Sequence, residues 1–406
     1  MSPLRKIIIA FILIISIVIL WALLVQRAAI QRIPGNAYDV ERQYRPSEGV
    51  LPSAFKEGFT YTDADTALSR TQLNELKAVT TPSASANIRS YPMGELGDLR
   101  ICDFCIKSSF NTACTGNYVS LDMITYVLSR GCRFLDFGVY YLETTKGDFI
   151  SNVSRARNPC VAFTDDPTGI SMKSRNILSL SSVFKRISEA AFQNPSPNPA
   201  DPLFIQLRIY SGEQEAYDEI ASLIHSAFSR RQYNGEITPQ TLFSSIIGNV
   251  VIVLDVNTVK TPVLQRSKLA PCVNLYSGGK HMLKYSARRL QDMLIQPVRI
   301  GTGTEKWSNI TQLTAVEPGS STVGTGSTPN SNSVGTGVFS YIWSWMGPRI
   351  PDLELNVPGL VHDYGTQFIE YPFYVIGDQQ ARYEQFFADP GLAMVPMYIA
   401  VNYVNK

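Results

Sequence analysis

Residues 202–228 read PLFIQLRIYSGEQEAYDEIASLIHSAF, an apolar strand followed at once by an amphipathic helix. In the helix, Tyr217, Ile220 and Ile224 fall on one face, because residues three or four positions apart lie on the same side. Acidic residues fill the first turn, next to the positive end of the helix dipole. The segment therefore predicts one strand–helix unit of a parallel sheet.

The same alternation continues on both sides of this unit. Val250–Leu254 is wholly apolar, which suits the buried centre of a barrel. The pattern predicts strands at Leu99–Ile106, Phe134–Val139, Val161–Phe163, Leu203–Ile209, Asn249–Asp255 and, at the end, Met397–Tyr403. It predicts helices at Ser120–Ser129, Ser181–Phe192, Glu213–Phe228, Ser286–Leu294 and Asp378–Phe387.

Near the start of the chain lies a long apolar run, IIIAFILIISIVILWALLV, from Ile7 to Val25. At about 1.5 Å per residue a helix of this length crosses the hydrocarbon core of a bilayer. A cleaved signal peptide is the alternative, but its apolar run is shorter and a small-x-small cleavage site follows it. We predict a six-residue tail (1–6) and a transmembrane signal-anchor (7–25), with the lipid bilayer as a partner. Arg5 and Lys6 favour a cytosolic N-terminus, so the large C-terminal part is expected to be non-cytosolic.

The rest of the chain divides by composition. Residues 26–95 carry polar turns and Pro-Ser clusters, and predict a stalk with one short helix at Thr66–Val79. Residues 96–406 form the predicted barrel domain. Within that domain, residues 318–337 are rich in Gly, Ser and Thr and predict a flexible loop.

Charge and residue usage exclude several function classes. The 36 Lys and Arg nearly balance the 34 Asp and Glu, which leaves no basic stripe for nucleic acid. Only three histidines are present, His225, His281 and His362, so proton transfer near neutral pH has few candidates. The six cysteines leave the redox state open, and the Cys102–Cys105 spacing is interpreted as buried thiols. We expect no cofactor and no resident metal.

Two short segments resemble the X region of phosphoinositide-specific phospholipases C. Ile106–Thr112 (IKSSFNT) is similar to that family's Ser-Ser-His-Asn-Thr segment, and Leu128–Asp136 (LSRGCRFLD) to its Leu-x-x-Gly-Cys-Arg-x-x-Glu segment. The resemblance covers Leu99–Lys260. It implies an α/β fold, a (β/α)8 TIM-barrel-like domain with its site at the C-terminal ends of the strands.

The residues that the family uses for proton transfer are replaced. Its catalysis needs a base and an acid, a task that two histidines perform. At the matching positions this sequence has Phe110 and, within Cys160–Asp165, Phe163. A phenyl ring cannot carry a proton, so the resemblance implies a barrel without its catalytic pair.

The positions that bind calcium in the family are also changed. Asn111 is kept, Asp136 stands in for a Glu, Gly138 replaces an Asp and Arg208 replaces a Glu. Calcium takes six to eight oxygen ligands, and a guanidinium opposes it. The family's phosphate-binding lysines correspond to Leu254 and Val256, on either side of Asp255, which makes the floor of the site less cationic.

Two alternatives stay open for this degenerate site. The first is that Arg208 and Asp136 form a buried ion pair across it. The second is that His281, in a glycine-containing loop, reaches the site from elsewhere. Candidate ligand-binding residues are then Asn111, Asp136, Arg208 and His281.

These features predict a membrane-anchored, catalytically inactive phospholipase-C-like protein with a structural, scaffolding or tethering role and with protein partners in an assembly. A membrane-to-capsid component in the virion of a large DNA virus is one setting that fits. The alternatives are an active phosphodiesterase or phospholipase C on a phosphoinositide-like lipid, and a module that binds a lipid headgroup.

Overall fold

The computed structural model describes residues 70–80, 87–146, 154–163, 172–286, 312–318 and 357–404. The predicted tail and span (1–25), most of the stalk, the helix predicted after Ser286 and residues 319–337 of the predicted loop lie outside them. Within the described part of the chain, none of the helices has the length and apolar character needed to cross a bilayer. The transmembrane span therefore stays a prediction.

The elements alternate along the barrel as the sequence indicates. The strands are β1 (Phe104–Ser109), β2 (Phe134–Lys146), β3 (Ser154–Ala162), β4 (Leu178–Ser179), β5 (Leu203–Ile209), β6 (Val250–Asp255), β7 (Leu275–Ser277), β8 (Met282–Ser286), β9 (Leu313–Glu317), β10 (Phe368–Tyr371) and β11 (Met394–Pro396). The helices are α1 (Arg70–Thr80), α2 (Met93–Leu96), α3 (Leu121–Ser129), α4 (Leu180–Ala190), α5 (Gln214–Phe228), α6 (Phe243–Ile246), α7 (Thr261–Leu264), α8 (Val357–Tyr364), α9 (Asp378–Ala388) and α10 (Met397–Val404). Two 3-10 turns, Ile101–Asp103 and Ala270–Cys272, complete the set.

Eight of these strands close into a parallel ring, in the order β1-β2-β5-β6-β7-β8-β9-β10. The ring closes where Ile106 of β1 lies opposite Phe368 of β10. Helices α3 and α5 connect successive strands of the ring, β1 to β2 and β5 to β6. The (β/α)8 barrel predicted from the sequence is therefore confirmed at the level of fold.

Three of the predicted strands are corrected by the structure. The strand predicted at Leu99–Ile106 begins only at Phe104, because Ile101–Asp103 form a 3-10 turn. The strand at Val161–Phe163 does not belong to the parallel ring, because β3 pairs antiparallel with the extended second half of β2. The closing strand at Met397–Tyr403 is wrong, since these residues form α10. There Met397 and Ala400, three positions apart, are buried against the core, so packing overrides the strand preference of the neighbouring apolar residues.

Part of the predicted stalk packs on the barrel. Leu76 and Val79 of α1, together with Ile88 and Tyr91, belong to the same hydrophobic core as the strands. The backbone N–H of Tyr91 donates to Asp201 Oδ1 at 2.7 Å. The stalk thus stays a prediction only for residues outside the described ranges.

A buried charged group fixes α9 to the outer face of β1. Lys107 Nζ donates to Glu384 Oε2 (2.8 Å) and to the backbone oxygen of Arg130 (2.7 Å), and Arg130 Nη2 donates to the same carboxylate oxygen at 2.8 Å. Lys107 is fully buried, and its ammonium lies 5.7 Å from the centre of the Phe387 ring. The group joins the first strand of the barrel to its last long helix.

Replacing Lys107 by methionine is expected to lower the free energy of unfolding by about 1–3 kcal/mol. The loss of stability is limited because Glu384 keeps its ion pair with Arg130. The backbone oxygen of Arg130 does lose the hydrogen bond from Lys107. Urea unfolding of the full-length variant measures it. An unchanged midpoint would show that this group contributes nothing to the docking of α9.

Candidate active site

Three strands carry the same pattern, a phenylalanine followed two positions later by a polar residue. The segments are Phe134-Leu135-Asp136 in β2, Phe204-Ile205-Gln206 in β5 and Phe368-Ile369-Glu370 in β10. Residues two apart on a strand share a face, so each polar side chain lies one layer above its phenylalanine inside the barrel. The three rings pack together with centroids 4.9–6.4 Å apart.

Gln206 connects the two carboxyl groups of this polar layer. Its Nε2 donates to Asp136 Oδ1 at 2.9 Å and to Glu370 Oε1 at 3.3 Å. All three residues are completely buried. Gln206 Oε1 and Glu370 Oε2 have no hydrogen-bond partner among the described residues. The layer therefore holds two carboxyl groups that share one amide donor.

Arg208 covers this layer at the C-terminal end of β5. Its Nε donates to Asp136 Oδ1 (2.9 Å), and its Nη2 donates to Asp136 Oδ2 (2.7 Å) and to Asn111 Oδ1. Nη1 donates to the Tyr210 hydroxyl at 3.1 Å. The two-point contact with Asp136 is the strong geometry for an arginine–carboxylate pair. The buried ion pair considered from the sequence is thus present.

Two groups of the β1–α3 loop also form hydrogen bonds with Asp136. The N–H of Asn111 donates to Asp136 Oδ2 at 3.0 Å, and the hydroxyl of Thr112 accepts from the N–H of Asp136 at 2.9 Å. Asn111 has a positive φ of 46°, a conformation that asparagine tolerates better than most residues. This turn places the Asn111 amide beside Arg208.

The charges of the pair stabilise each other against burial. Burial opposes ionisation of Asp136, yet Arg208 and Lys284 and the hydrogen bonds from Arg208 and Gln206 hold the pKa of this carboxyl below its usual value. Burial also opposes the charge of Arg208, but Asp136 raises the pKa of the guanidinium well above its usual value. Both groups are therefore charged at neutral pH.

A second ion pair lies on the opposite wall. Lys284 Nζ donates to Asp255 Oδ2 at 2.8 Å and lies 2.9 Å from Glu317 Oε2. Its pKa is well above the usual value despite burial, because Glu317, Glu370 and Asp255 surround the ammonium. Asp255 is thus engaged by a lysine that comes from β8.

Glu370 differs from Asp136, because the pKa of its carboxyl group lies above the usual value. Burial raises the pKa of its carboxyl to about 8; Lys284 and Arg208 lower it, while Asp136 and Glu317 raise it. A carboxyl group with this pKa is mostly protonated at neutral pH. In the described interior, Arg208 with Asp136 and Lys284 with Asp255 and Glu317 thus surround a carboxyl group that holds its proton more tightly than usual.

The two phenylalanines at the lost histidine positions have packing roles. The guanidinium of Arg208 lies 4.8 Å from the centre of the Phe110 ring, a cation–π contact. Phe163 packs edge-on against Tyr374, with ring centroids 5.6 Å apart. Gly138 lies opposite Ala162 of β3, and a Cβ added at Gly138 would come within 3.0 Å of the Ala162 backbone oxygen.

His281 does not join this group. Its Nε2 lies 3.3 Å from Glu236 Oε1, in the segment between α5 and β6. Segments that lead from a helix into the next strand lie at the N-terminal end of a barrel, opposite Asn111. His225 lies in α5 and His362 in α8, both outside the strand ring. The residues that the structure brings together are Asn111, Asp136, Arg208, Phe110 and, on the far wall, Asp255.

The residues present do not fit a calcium ion. Both oxygens of Asp136 and the side-chain oxygen of Asn111 accept hydrogen bonds from Arg208. A guanidinium at this point repels a divalent cation and uses the oxygens that would ligate it. This arrangement of Arg208, Asp136 and Asn111 therefore does not suit calcium.

Sequence reasoning missed three residues of the site, Gln206, Lys284 and Glu370. The repeated Phe-x-polar pattern in three strands was the signal for Gln206 and Glu370, since a polar residue in an apolar strand needs a partner inside the barrel. Lys284 had no such signal in the sequence. Its strand is only five residues long, and apolar and polar residues alternate only weakly along it.

No protein-family model matches this sequence, and no curated protein matches it either. Solved structures do show similarity. PLC21 of L. pealei has 14% identity and a TM-score of 0.49, over 75% of this chain and 38% of that one, and PLC21 of S. officinalis has 13% identity and a TM-score of 0.49, over 77% and 38%. The chain thus spans well under half the length of these two proteins.

A calcium-dependent phosphoinositol-specific phospholipase C from Pseudomonas sp. shows 11% identity and a TM-score of 0.38, over 77% of this chain and 99% of that one. Identities and TM-scores of this size do not assign the function of these proteins to this chain. The structural neighbours are phospholipases C, and the closed parallel eight-stranded barrel that the sequence resemblance implied is present in this chain's own strand pairing.

Proposed function

We propose that this chain is a membrane-anchored barrel of the phospholipase C type that does not hydrolyse lipids and acts as a scaffolding or tethering component. The observation that carries the proposal is the two-point contact of Arg208 with Asp136, which fills the mouth of the barrel with the chain's own ion pair. Of the cations that the structure describes at this site, Arg208 and Lys284 are both paired with carboxylates, which leaves neither free to receive a phosphate.

Proton transfer is the second obstacle to hydrolysis. Attack by an inositol hydroxyl requires a base, and departure of the lipid oxygen requires an acid. The groups hydrogen-bonded to Arg208 and Asp136 in the described part of the chain are side-chain amides, a phenol, the Thr112 hydroxyl and backbone N–H groups, without an imidazole. Phe110 and Phe163 are held by ring contacts instead.

One observation favours a second candidate, an active phosphodiesterase. A carboxyl group that is protonated at neutral pH can serve as a general acid, and Glu370 has this property. Glu370 is, however, completely buried below the Arg208 layer. A receptor for a lipid headgroup ranks lower, because Arg208 and Lys284 are both engaged by carboxylates.

Purified full-length protein is expected to release no inositol phosphate from phosphatidylinositol vesicles, with or without calcium. The assay measures water-soluble inositol phosphate against a protein-free blank, with an active phospholipase C as positive control. Release that is lost in Arg208→Lys but kept in Arg157→Lys would establish an enzyme, since Arg157 forms an exposed pair with Glu213 outside the site.

The scaffolding part of the proposal is tested separately. Crosslinking of the full chain in its native membrane, followed by mass spectrometry, should give links from the barrel to other proteins. A barrel that crosslinks only within itself would count against a tethering role. The viral setting stays a prediction that the identity of those partners would decide.

A further inference from the structure

A narrow cleft beside Asn111 is closed in the structure. Its walls are the β1–α3 loop and the β2–β3 hairpin, and it is lined by Asn111, Cys114, Val119, Gly138 and Phe163 among others. The volume open to a water-sized sphere is about 0 Å³. Asn111 Nδ2, in this lining, has no hydrogen-bond partner among the described residues. The cleft is therefore built around a buried polar donor but admits nothing.

One carboxylate of α1 holds the loop that forms a wall of this cleft. Glu75 Oε1 accepts from the Thr115 hydroxyl (2.5 Å) and from the backbone N–H groups of Asn117 (2.8 Å) and Tyr118 (3.2 Å). Its Oε2 accepts from Asn117 Nδ2 at 3.0 Å. Hydrogen bonds to a charged acceptor are the strong kind, and here four of them converge on one side chain.

The base of the same loop is fixed without Glu75. The N–H of Thr112 donates to the backbone oxygen of Asp136 at 2.9 Å, and the N–H of Val119 donates to Asn176 Oδ1 at 2.8 Å. At the tip, the backbone oxygen of Asn117 accepts one bond from the N–H of Arg175. Loss of the Glu75 contacts would therefore leave the tip with the Arg175 bond, while the two ends of the loop stay in place.

Helix α1 itself is attached over a small area. Of its eleven residues only Leu76 and Val79 are buried, and Leu73 is 38% exposed. Helix α1 precedes all the strands of the barrel in the chain.

We propose that α1 is a detachable strap that keeps the cleft beside Asn111 shut through Glu75. Undocking of α1 loosens the tip Thr115–Tyr118. Because the Gly116 backbone in this tip is hydrogen-bonded to the Cys114 Sγ in the cleft wall, loosening the tip uncovers the Cys114 side of the cleft. The inference does not depend on whether the barrel hydrolyses lipids, because it concerns access to the cleft and not the chemistry in it.

Cys114 provides the probe for this opening. It lines the cleft, is 1% exposed, and hydrogen-bonds through its Sγ with the backbone of Gly116. Burial raises the pKa of its thiol, and the negative charge of Glu75 raises it further, so the closed state reacts slowly. Leu76→Ala keeps that charge and therefore reports the opening alone. Cys105 and Cys132 are fully buried in the core and report global unfolding in the same sample.

The experiment compares iodoacetamide labelling of each cysteine in the full-length protein, Glu75→Gln and Leu76→Ala, read by peptide mass spectrometry. Labelling of Cys114 is expected to rise at least about tenfold in Glu75→Gln, because one hydrogen bond to a charged group is worth that factor or more. Leu76→Ala, which loosens α1 and keeps the carboxylate, should raise it too.

Glu95→Gln is the matched control, since Glu95 forms only an exposed pair with Arg89 at 3.6 Å. Selective labelling of Cys114 in both test variants, with the control unchanged, supports the strap. Unchanged labelling of Cys114 in either test variant overturns it. Labelling that rises only together with Cys105 and Cys132 also overturns it, because the protein then opens as a whole.

Discussion

Replacing Asp136 by asparagine is expected to lower the free energy of unfolding by about 3–5 kcal/mol. Arg208 is 5% exposed and makes two hydrogen bonds to this carboxylate. Asparagine keeps the size but removes the charge, and its amide nitrogen would face the guanidinium. The variant would bury a cation without its partner, which is one of the most destabilising changes that a single substitution makes.

A double-mutant cycle with Arg208→Met separates the pair from the packing around it. The double variant should lose less stability than the sum of the two single variants, because removing both charges also removes the cost of burying them. Glu213→Gln is the control, since it breaks an exposed pair and should cost at most about 1 kcal/mol. Additive losses would mean that the two side chains are not coupled.

Replacing Glu370 by glutamine is expected to remove a large part of the pH dependence of stability. The pKa of Glu370 rises from 4.5 to about 8 on folding, mainly because the carboxyl is buried. The folded state therefore holds this proton more tightly than the unfolded state. Its contribution to stability is complete below about pH 4.5 and is lost progressively as the pH rises to about 8.

The size of the effect follows from the shift. Each pKa unit is worth about 1.4 kcal/mol, so the loss is at most about 5 kcal/mol. Glutamine stays neutral, so Glu370→Gln should gain stability relative to wild type from pH 5 to pH 9. Urea unfolding over that range measures the difference, with Glu213→Gln as the surface control. Parallel curves for wild type and Glu370→Gln would show that the carboxyl ionises freely in the barrel.

The strand–helix units of the first barrel half were predictable because their residues obey local rules. Val250–Leu254 is apolar on both faces, Leu203–Ile209 is apolar except at Gln206 and Arg208, and the helix Gln214–Phe228 has one apolar stripe. Met397–Val404 is the counterexample. Its apolar residues fit a strand by propensity, but a strand just before it already pairs with β1, and the chain turns into a helix that buries Met397 and Ala400.

The site was predictable only in part. The resemblance placed Asn111, Asp136 and Arg208 on the ends of strands that are neighbours in a barrel, and the structure brings these three together. The resemblance could not identify Gln206 and Glu370 as partners within the site. Their hydrogen bond joins β5 to β10, and the two residues are 164 positions apart in the sequence. His281 illustrates the same limit, since the ring places it at the end of the barrel opposite Asn111.

By itself the sequence determined that this chain contains a parallel α/β barrel, that imidazoles are missing where the resemblance expects them, and that an apolar run could anchor the protein. These are local properties, set by periodicity and residue type. Only the tertiary structure decided that Arg208 is neutralised by Asp136, that Lys284 is held by Asp255 and Glu317, and that Glu75 grips a loop 40 residues away. Those contacts arise because closing the ring buries distant residues together, and a buried charge is costly unless it has a partner.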